Sequence, residues 1–194
     1  MALTILVIRH AEEPGEIWPG NGVTDHEIED DKSLVIRGWQ RAGAWAALFG
    51  AGRGGADYPA PNAIYAAQPG NVGRANHGPS RRPAETISAL ALRLGVTANE
   101  SFAKGQEDAL VTKLLTLSGV VLVCWEHDAI VADIIPRIPV GQGTPPTGWP
   151  GHRYDVVLRF DRPDGITKFS FRPLYPQLLS GDPNTPLDGS PHHG

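Results

Sequence analysis

Three groups of residues in this chain could handle an anionic substrate. Arg9 and His10 stand together in "TILVIRHAEE". Arg82 lies in "SRRPAETISAL". Glu126, His127 and Asp128 follow one another in "VVLVCWEHDAI". An arginine fork matches the oxygens of a phosphoryl group two bonds at a time. A neutral imidazole is a competent nucleophile near neutral pH. Phosphoryl transfer asks mainly for in-line placement and charge stabilisation, which arginines and a second histidine supply. Neither Arg9 nor His10 gains from burial at the end of an apolar run unless something charged meets it there.

Elements must bring these groups together. Leu3–Ile8 is apolar on both faces and reads as a central strand, and "GVVLVCW", Gly119–Trp125, reads as a second. Asn62–Ala67 is a shorter strand. Helical spacing covers Leu34–Phe49, Ser80–Leu94 and Gly105–Leu117. Ser80 suits an N-cap, Pro83 the first turn, and Gly95 the end. A short helix spans Asp128–Ile135, closed by Pro136. Tyr154–Phe160 and Ile166–Phe171 flank "DRPDG" and predict a hairpin at a sheet edge. Strands alternating with helices predict an α/β fold: a three-layer α/β/α sandwich with a mainly parallel central sheet. Ligands of open α/β sheets bind beyond the carboxyl ends of the strands. Arg9–His10 and Glu126–Asp128 both stand there.

The 194 residues fit one domain, read as 1–175, with a Gly/Pro-rich tail, 176–194, expected to be flexible. The formal charge of −4 disfavours nucleic acid as a partner. Cys124 is the single cysteine, so no disulfide can form within the chain, which suits a reducing compartment. No apolar run approaches the roughly 20 residues of a membrane helix, and the run after Met1 is too short for a signal segment. A cytoplasmic protein without membrane attachment is expected. His26–Glu27 lacks a second histidine four residues on, so the zinc-protease pattern fails. "DHEIEDDK" reads as a solvated acidic loop, and the two histidines of "PHHG" as the end of the tail. Trp18, Trp149, His152 and Arg153 sit beside Gly/Pro-rich loops and are candidates for a substrate wall.

The motifs resemble one family. "VIRHAE" resembles the Arg-His-Gly or Arg-His-Ala signature of the histidine phosphatase superfamily, the phosphoglycerate-mutase-like proteins. "SLVIRGWQRA" is similar to its Leu-Ser/Thr-x-x-Gly-x-x-x-Ala helix start, through Leu34, Gly38 and Ala42. "RPAETISAL" resembles its second-arginine motif, through Arg82 and Thr86, and "VVLVCWEHDAI" the strand that leads to its second histidine, His127. The resemblance runs in order from Leu3 to about Ile135. It implies a phosphomonoester hydrolase in which His10 becomes phosphohistidine and Arg9, Arg82 and His127 complete the phosphate pocket. It implies no metal and no organic cofactor, and a small phosphate ester or a phosphoprotein as partner. Asp128 matches the proton donor of the acid-phosphatase branch; Glu107 in "KGQEDAL" and Glu13 are alternatives by comparison with the mutase branch. A long insert, "AQPGNVGRANHGPS", precedes the arginine motif, so Arg74 and Arg81 compete with Arg82, which the four-residue distance to Thr86 favours. A mutase and a non-catalytic phosphate-binding module are the rival functions. The segment from Arg9 to Leu34 lacks the Asn-rich stretch of mutases, which favours the hydrolase.

Overall fold

In a computed structural model, the chain is described over residues 1–15, 17–52, 54–69 and 79–187. Strand β1 spans Leu3–Arg9 and helix α1 Ile36–Gly50. Strand β2 spans Ala63–Ala66, followed by α2, Arg82–Leu94, and α3, Glu107–Leu115. Strand β3 is Gly119–Trp125 and α4 is His127–Ala129. Strands β4, Val140–Gln142, β5, Val157–Arg162, and β6, Phe169–Leu174, complete the sheet.

The sheet order is β2-β3-β1-β5-β6-β4. β1 and β2 both run parallel to β3, and β4 runs parallel to β6, while β5 is antiparallel to β1 and β6. Helices cover both faces. On one, Leu6 and Ile8 of β1 pack with Trp45 and Phe49 of α1 and Ile87 and Leu90 of α2. On the other, Ile5 and Val7 pack with Leu110, Val111 and Leu114 of α3. The expected three-layer sandwich is what forms, because β1 and β3 are apolar at every inner position and need cover on both sides. Among the described residues, no helix is long and apolar enough to cross a membrane.

Three expectations change. The hairpin is not at the edge: β5 lies inside the sheet, between β1 and β6, and the outer strand is β4. β4 has three residues, one of them Gly141, too few for an alternating pattern to register. The hairpin strands also start about three residues late. Just before β5, Arg153 donates to both carboxylate oxygens of Asp155, at 2.8 and 2.9 Å. After α4 the helix loosens into a π-type turn over Ile130–Ile134 and a 3₁₀ turn over Ile135–Arg137. Pro136 has no N–H to continue an α-helical ladder.

Residues 176–187 make contacts with earlier parts of the chain. Asp182 is bound by Arg41 at 2.7 and 3.0 Å, Ser180 O accepts from Arg37 at 2.8 Å, and Thr185 O accepts from Arg153 at 3.0 Å. The rest of the expected tail, 188–194, including both terminal histidines, lies outside the described residues.

Gly38 shows how closely α1 approaches the loop after β1. A Cβ at this position would stand 2.5 Å from Glu12 O. Alanine is the better helix former by about 1 kcal/mol, so an open site would gain from it. Here Gly38→Ala is expected to cost about 1–3 kcal/mol by pushing the helix off the loop. Urea unfolding measures this, and a stabilised variant would show that the approach is looser than described.

Candidate active site

The parallel register of β1 on β3 sets Arg9 opposite Trp125. The next residues, His10 and Glu126–His127, therefore leave the sheet side by side. His10 N–H donates to Trp125 O at 3.0 Å, continuing the ladder one residue into the loop. Helix α2 delivers Arg82 to the same edge. Its start is fixed by Ser80 Oγ, which accepts the Arg82 N–H at 3.3 Å, and Thr86 Oγ1 accepts the Ala11 N–H at 2.8 Å. The Arg82–Thr86 spacing thus has a physical use: it ties the helix to the residue beside His10.

His10, Glu13, Lys32, Gln68, Arg82, Lys104, Trp125, Glu126 and His127 are among the side chains lining a cavity of about 380 Å³ at this edge. The two histidines and Arg82 expected to converge do so. Arg9 is 1% exposed and held under the site: Nη1 donates to Gly151 O at 2.5 Å, Nη2 to Glu13 Oε1 at 2.8 Å, and the guanidinium lies 4.0 Å from the Tyr154 ring centroid. Its Nε is buried with no partner among the described residues. Arg82 donates through Nη1 to Glu13 Oε2 and through Nη2 to Asp31 O at 2.6 Å. Arg81 instead sends Nε to Glu85 at 3.3 Å. Arg74 lies outside the described residues.

His10 is buried, and its Nδ1 lies 2.8 Å from Ala11 O. A carbonyl only accepts, so Nδ1 carries the proton and Nε2 keeps a lone pair. Burial, then the Arg9 charge, pushes the imidazole down to about 3, with Glu13 and the Ala11 carbonyl opposing and Arg82 adding to the shift. His10 is therefore neutral across the physiological range. In an NMR titration its ring signals should hold constant from pH 8 to 4; a midpoint near 6.5 would contradict this. The sign for stability follows. Below about 6.5 the unfolded chain binds a proton at this imidazole, while the folded chain does not until about 3. That contribution falls as pH drops through the window.

His127 stands between two acids. Its Nδ1 is 3.0 Å from Glu126 Oε1 without a hydrogen-bond partner among the described residues, and its Nε2 is 3.4 Å from Asp128 Oδ1. Burial works to raise the Glu126 carboxyl. His127, the N–H groups of Asp128 and Ala129, and Lys104 outweigh burial and hold it well below the carboxylate range.

Of the three candidate proton donors, Glu13 lines the cavity, and Asp128 and Glu107 do not. Asp128 is 80% exposed. Glu107 is buried, and both its oxygens accept: Oε1 from Trp125 Nε1 at 2.9 Å, and both from the Gly105 N–H, at 3.0 and 2.9 Å. That bonding makes Glu107 a support for the Trp125 ring. Trp18 stacks on Arg37, 4.3 Å from the guanidinium, and Trp149 is buried with Nε1 on Arg153 O at 2.8 Å. Neither forms the cavity wall, nor does Arg153, which is buried on Asp155. His152 is exposed and off the wall.

Two features had no sequence signal. Glu13 bridges both guanidiniums, and Tyr154 covers Arg9 and reaches Glu13 through its hydroxyl at 3.4 Å. Glu126, His127 and Asp128 also place ligand atoms within 4.8 Å of one another, but all three are consecutive and Asp128 stands in solvent.

No family model matches the chain, and no curated protein matches it. Solved structures similar to it include a mycobacterial protein described as hydrolase 2, with a TM-score of 0.47 and 14% identity over 89% of each chain. Another is the native structure of a mycobacterial glucosyl-3-phosphoglycerate phosphatase, with a TM-score of 0.48 and 14% identity over 90% of this chain and 98% of that one.

Proposed function

We propose that this chain is a phosphomonoester hydrolase of the histidine phosphatase type, working through a phosphohistidine at His10. One observation carries the reading. A buried, neutral imidazole with Nδ1 tied to a carbonyl offers its Nε2 lone pair in a cavity shared with His127 and Arg82, with Arg9 directly beneath.

The Nε2 lone pair attacks phosphorus as the ester P–O bond breaks. The bond's electron pair leaves on the alcohol oxygen, which takes a proton. Ala11 O steadies the positive charge that develops on the ring through the Nδ1 proton. Water then attacks phosphorus, the P–N bond breaks, and its electron pair returns to Nε2, releasing inorganic phosphate. Arg9, Arg82 and His127 would bind the equatorial oxygens through these steps. The reading calls on no metal and no organic cofactor, since guanidinium and imidazole groups supply the charge. The partner is a small phosphate ester or a phosphoprotein, and the compartment is the cytoplasm.

Incubation with p-nitrophenyl phosphate and a panel of phosphate esters tests this. Release of inorganic phosphate is expected. Conversion of 3-phosphoglycerate to its isomer without phosphate release would favour a mutase. Phosphate binding without turnover of the activated ester would favour a binding module.

A further inference from the structure

The hydrolysis needs a proton for the leaving oxygen, and the carboxylates around the site are not equal candidates. Among the described residues, Glu13 and Glu126 are the two that line the cavity. Glu126 is committed: Oε1 accepts from Asp128 N at 2.9 Å, Oε2 accepts from Ala129 N at 3.1 Å, and Oε2 pairs with Lys104 at 3.0 Å. A carboxylate that already accepts from two N–H groups and an ammonium has no reason to carry a proton. Asp128 stands in solvent outside the wall, and Glu107 is occupied by Trp125 and Gly105.

Glu13 is different in kind. Its partners are the same Arg9 and Arg82 forks that the proposed phosphate pocket uses. A phosphoryl group that takes Arg9 Nη2 and Arg82 Nη1 competes with the carboxylate for those donors and displaces it, and as the third residue after His10 it stays near the site.

We propose, resting on the reading above, that Glu13 is the general acid, and that substrate binding itself arms it. The phosphoryl oxygens displace the Glu13 carboxylate from Arg9 and Arg82. The freed carboxylate, beside a doubly negative phosphoryl group, takes a proton from solvent. As His10 Nε2 bonds to phosphorus and the ester P–O bond breaks, Glu13 passes that proton to the leaving alkoxide oxygen and becomes a carboxylate again. In the second half it accepts a proton from the attacking water as the P–N bond breaks. Protons balance over the cycle: one enters on Glu13 with the ester, leaves with the alcohol, and is replaced from water.

The forces on Glu13 support this order of events. Burial acts to raise its carboxyl. The surrounding His10, Arg82, Arg9 and His127 groups outweigh burial and hold it below its ordinary range; with His10 neutral, the guanidiniums carry most of that. Removing the guanidiniums leaves burial and the phosphoryl charge, which both favour the protonated form. Tyr154 OH, 3.4 Å from Oε1, is positioned to keep the displaced group near the site.

Leaving-group dependence separates an acid from a mere pocket residue. With Glu13→Gln, kcat/KM for an alkyl phosphate should fall at least ~100-fold, while kcat/KM for p-nitrophenyl phosphate, whose leaving group needs little protonation, should fall less than about fivefold. The variant should also show a burst of nitrophenol and accumulate phosphohistidine, because the second step loses its base. Inorganic phosphate should inhibit it more tightly than wild type, since the internal competitor is gone. Glu13→Ser, confirmed folded by thermal unfolding, provides the same readout from a second side chain. Equal losses on both esters would overturn the proposal. So would a leaving-group-selective loss in Asp128→Asn or Glu107→Gln with none in Glu13→Gln. If wild type carries labelled phosphohistidine while Glu13→Gln keeps full activity on the alkyl ester, only this inference falls. If wild type neither hydrolyses esters nor becomes labelled, the hydrolase reading falls first and takes the assignment with it.

Discussion

Replacing His10 by alanine is expected to lower kcat/KM for phosphate esters at least ~10³-fold, the scale at which enzymes lose a covalent nucleophile. The argument is local. His10 sits one residue past a seven-residue central strand, its backbone is locked by Trp125 O and its neighbour by Thr86 Oγ1. Its ring is fixed through Nδ1 and uncharged. Nothing else among the described residues offers a fully buried imidazole there: His127 is partly exposed. A His10→Ala protein that keeps the cavity and the arginines should still bind phosphate. Loss of turnover with retained binding is the expected split, measured by ester hydrolysis and by calorimetry with inorganic phosphate. Retained turnover would remove His10 from the chemistry.

The second large effect concerns stability. Glu12, immediately after Ala11, is fully buried, and its carboxylate accepts from Arg41 Nε at 3.0 Å, Arg41 Nη2 at 2.8 Å and Arg37 Nε at 3.2 Å. Arg41 in turn holds Asp182, whose side chain is 3% exposed. Burial works against the Arg41 charge, and Asp182 and Glu12 outweigh it, raising its pKa. Replacing Arg41 by methionine keeps the aliphatic stem and strands two buried carboxylates. The expected cost is about 3–5 kcal/mol, the range for breaking one side of a buried ion pair. Chemical denaturation reads this directly, and a loss under about 1 kcal/mol would show that Arg37 and water take over. Because the same guanidinium joins the loop after His10 to 176–187, the variant should also expose that segment to proteolysis.

Much of this architecture was legible in the residues. Leu3–Ile8 and Gly119–Trp125 announced central strands because both faces are apolar. Parallel pairing of two such strands then forces whatever follows them to one edge, so the meeting of His10 with His127 was already implied. Arg82 was separable from Arg81 by its distance to Thr86, and the structure gives the reason: Thr86 bonds Ala11. What stayed hidden lies in loops and long-range charge pairs. Strand β4 carries no apolar alternation. The partners Glu12–Arg41–Asp182 are up to 170 residues apart, at no spacing that a helix or strand would betray. The surroundings of the acids were hidden for the same reason. Asp128 matches a motif position but points to solvent, and Glu107 matches a residue type but is spent on Trp125, whereas Glu13 gave no sign of its place between two arginines until the loop was folded.

The most direct test of the central claim is to trap the intermediate. The protein is mixed with ³²P-labelled ester, quenched in base, digested, and the label mapped by mass spectrometry. Acid-labile, base-stable phosphate on the peptide containing His10, absent from His10→Ala, is the expected result. Label on serine, on His127, or equally on wild type and His10→Ala would contradict the account.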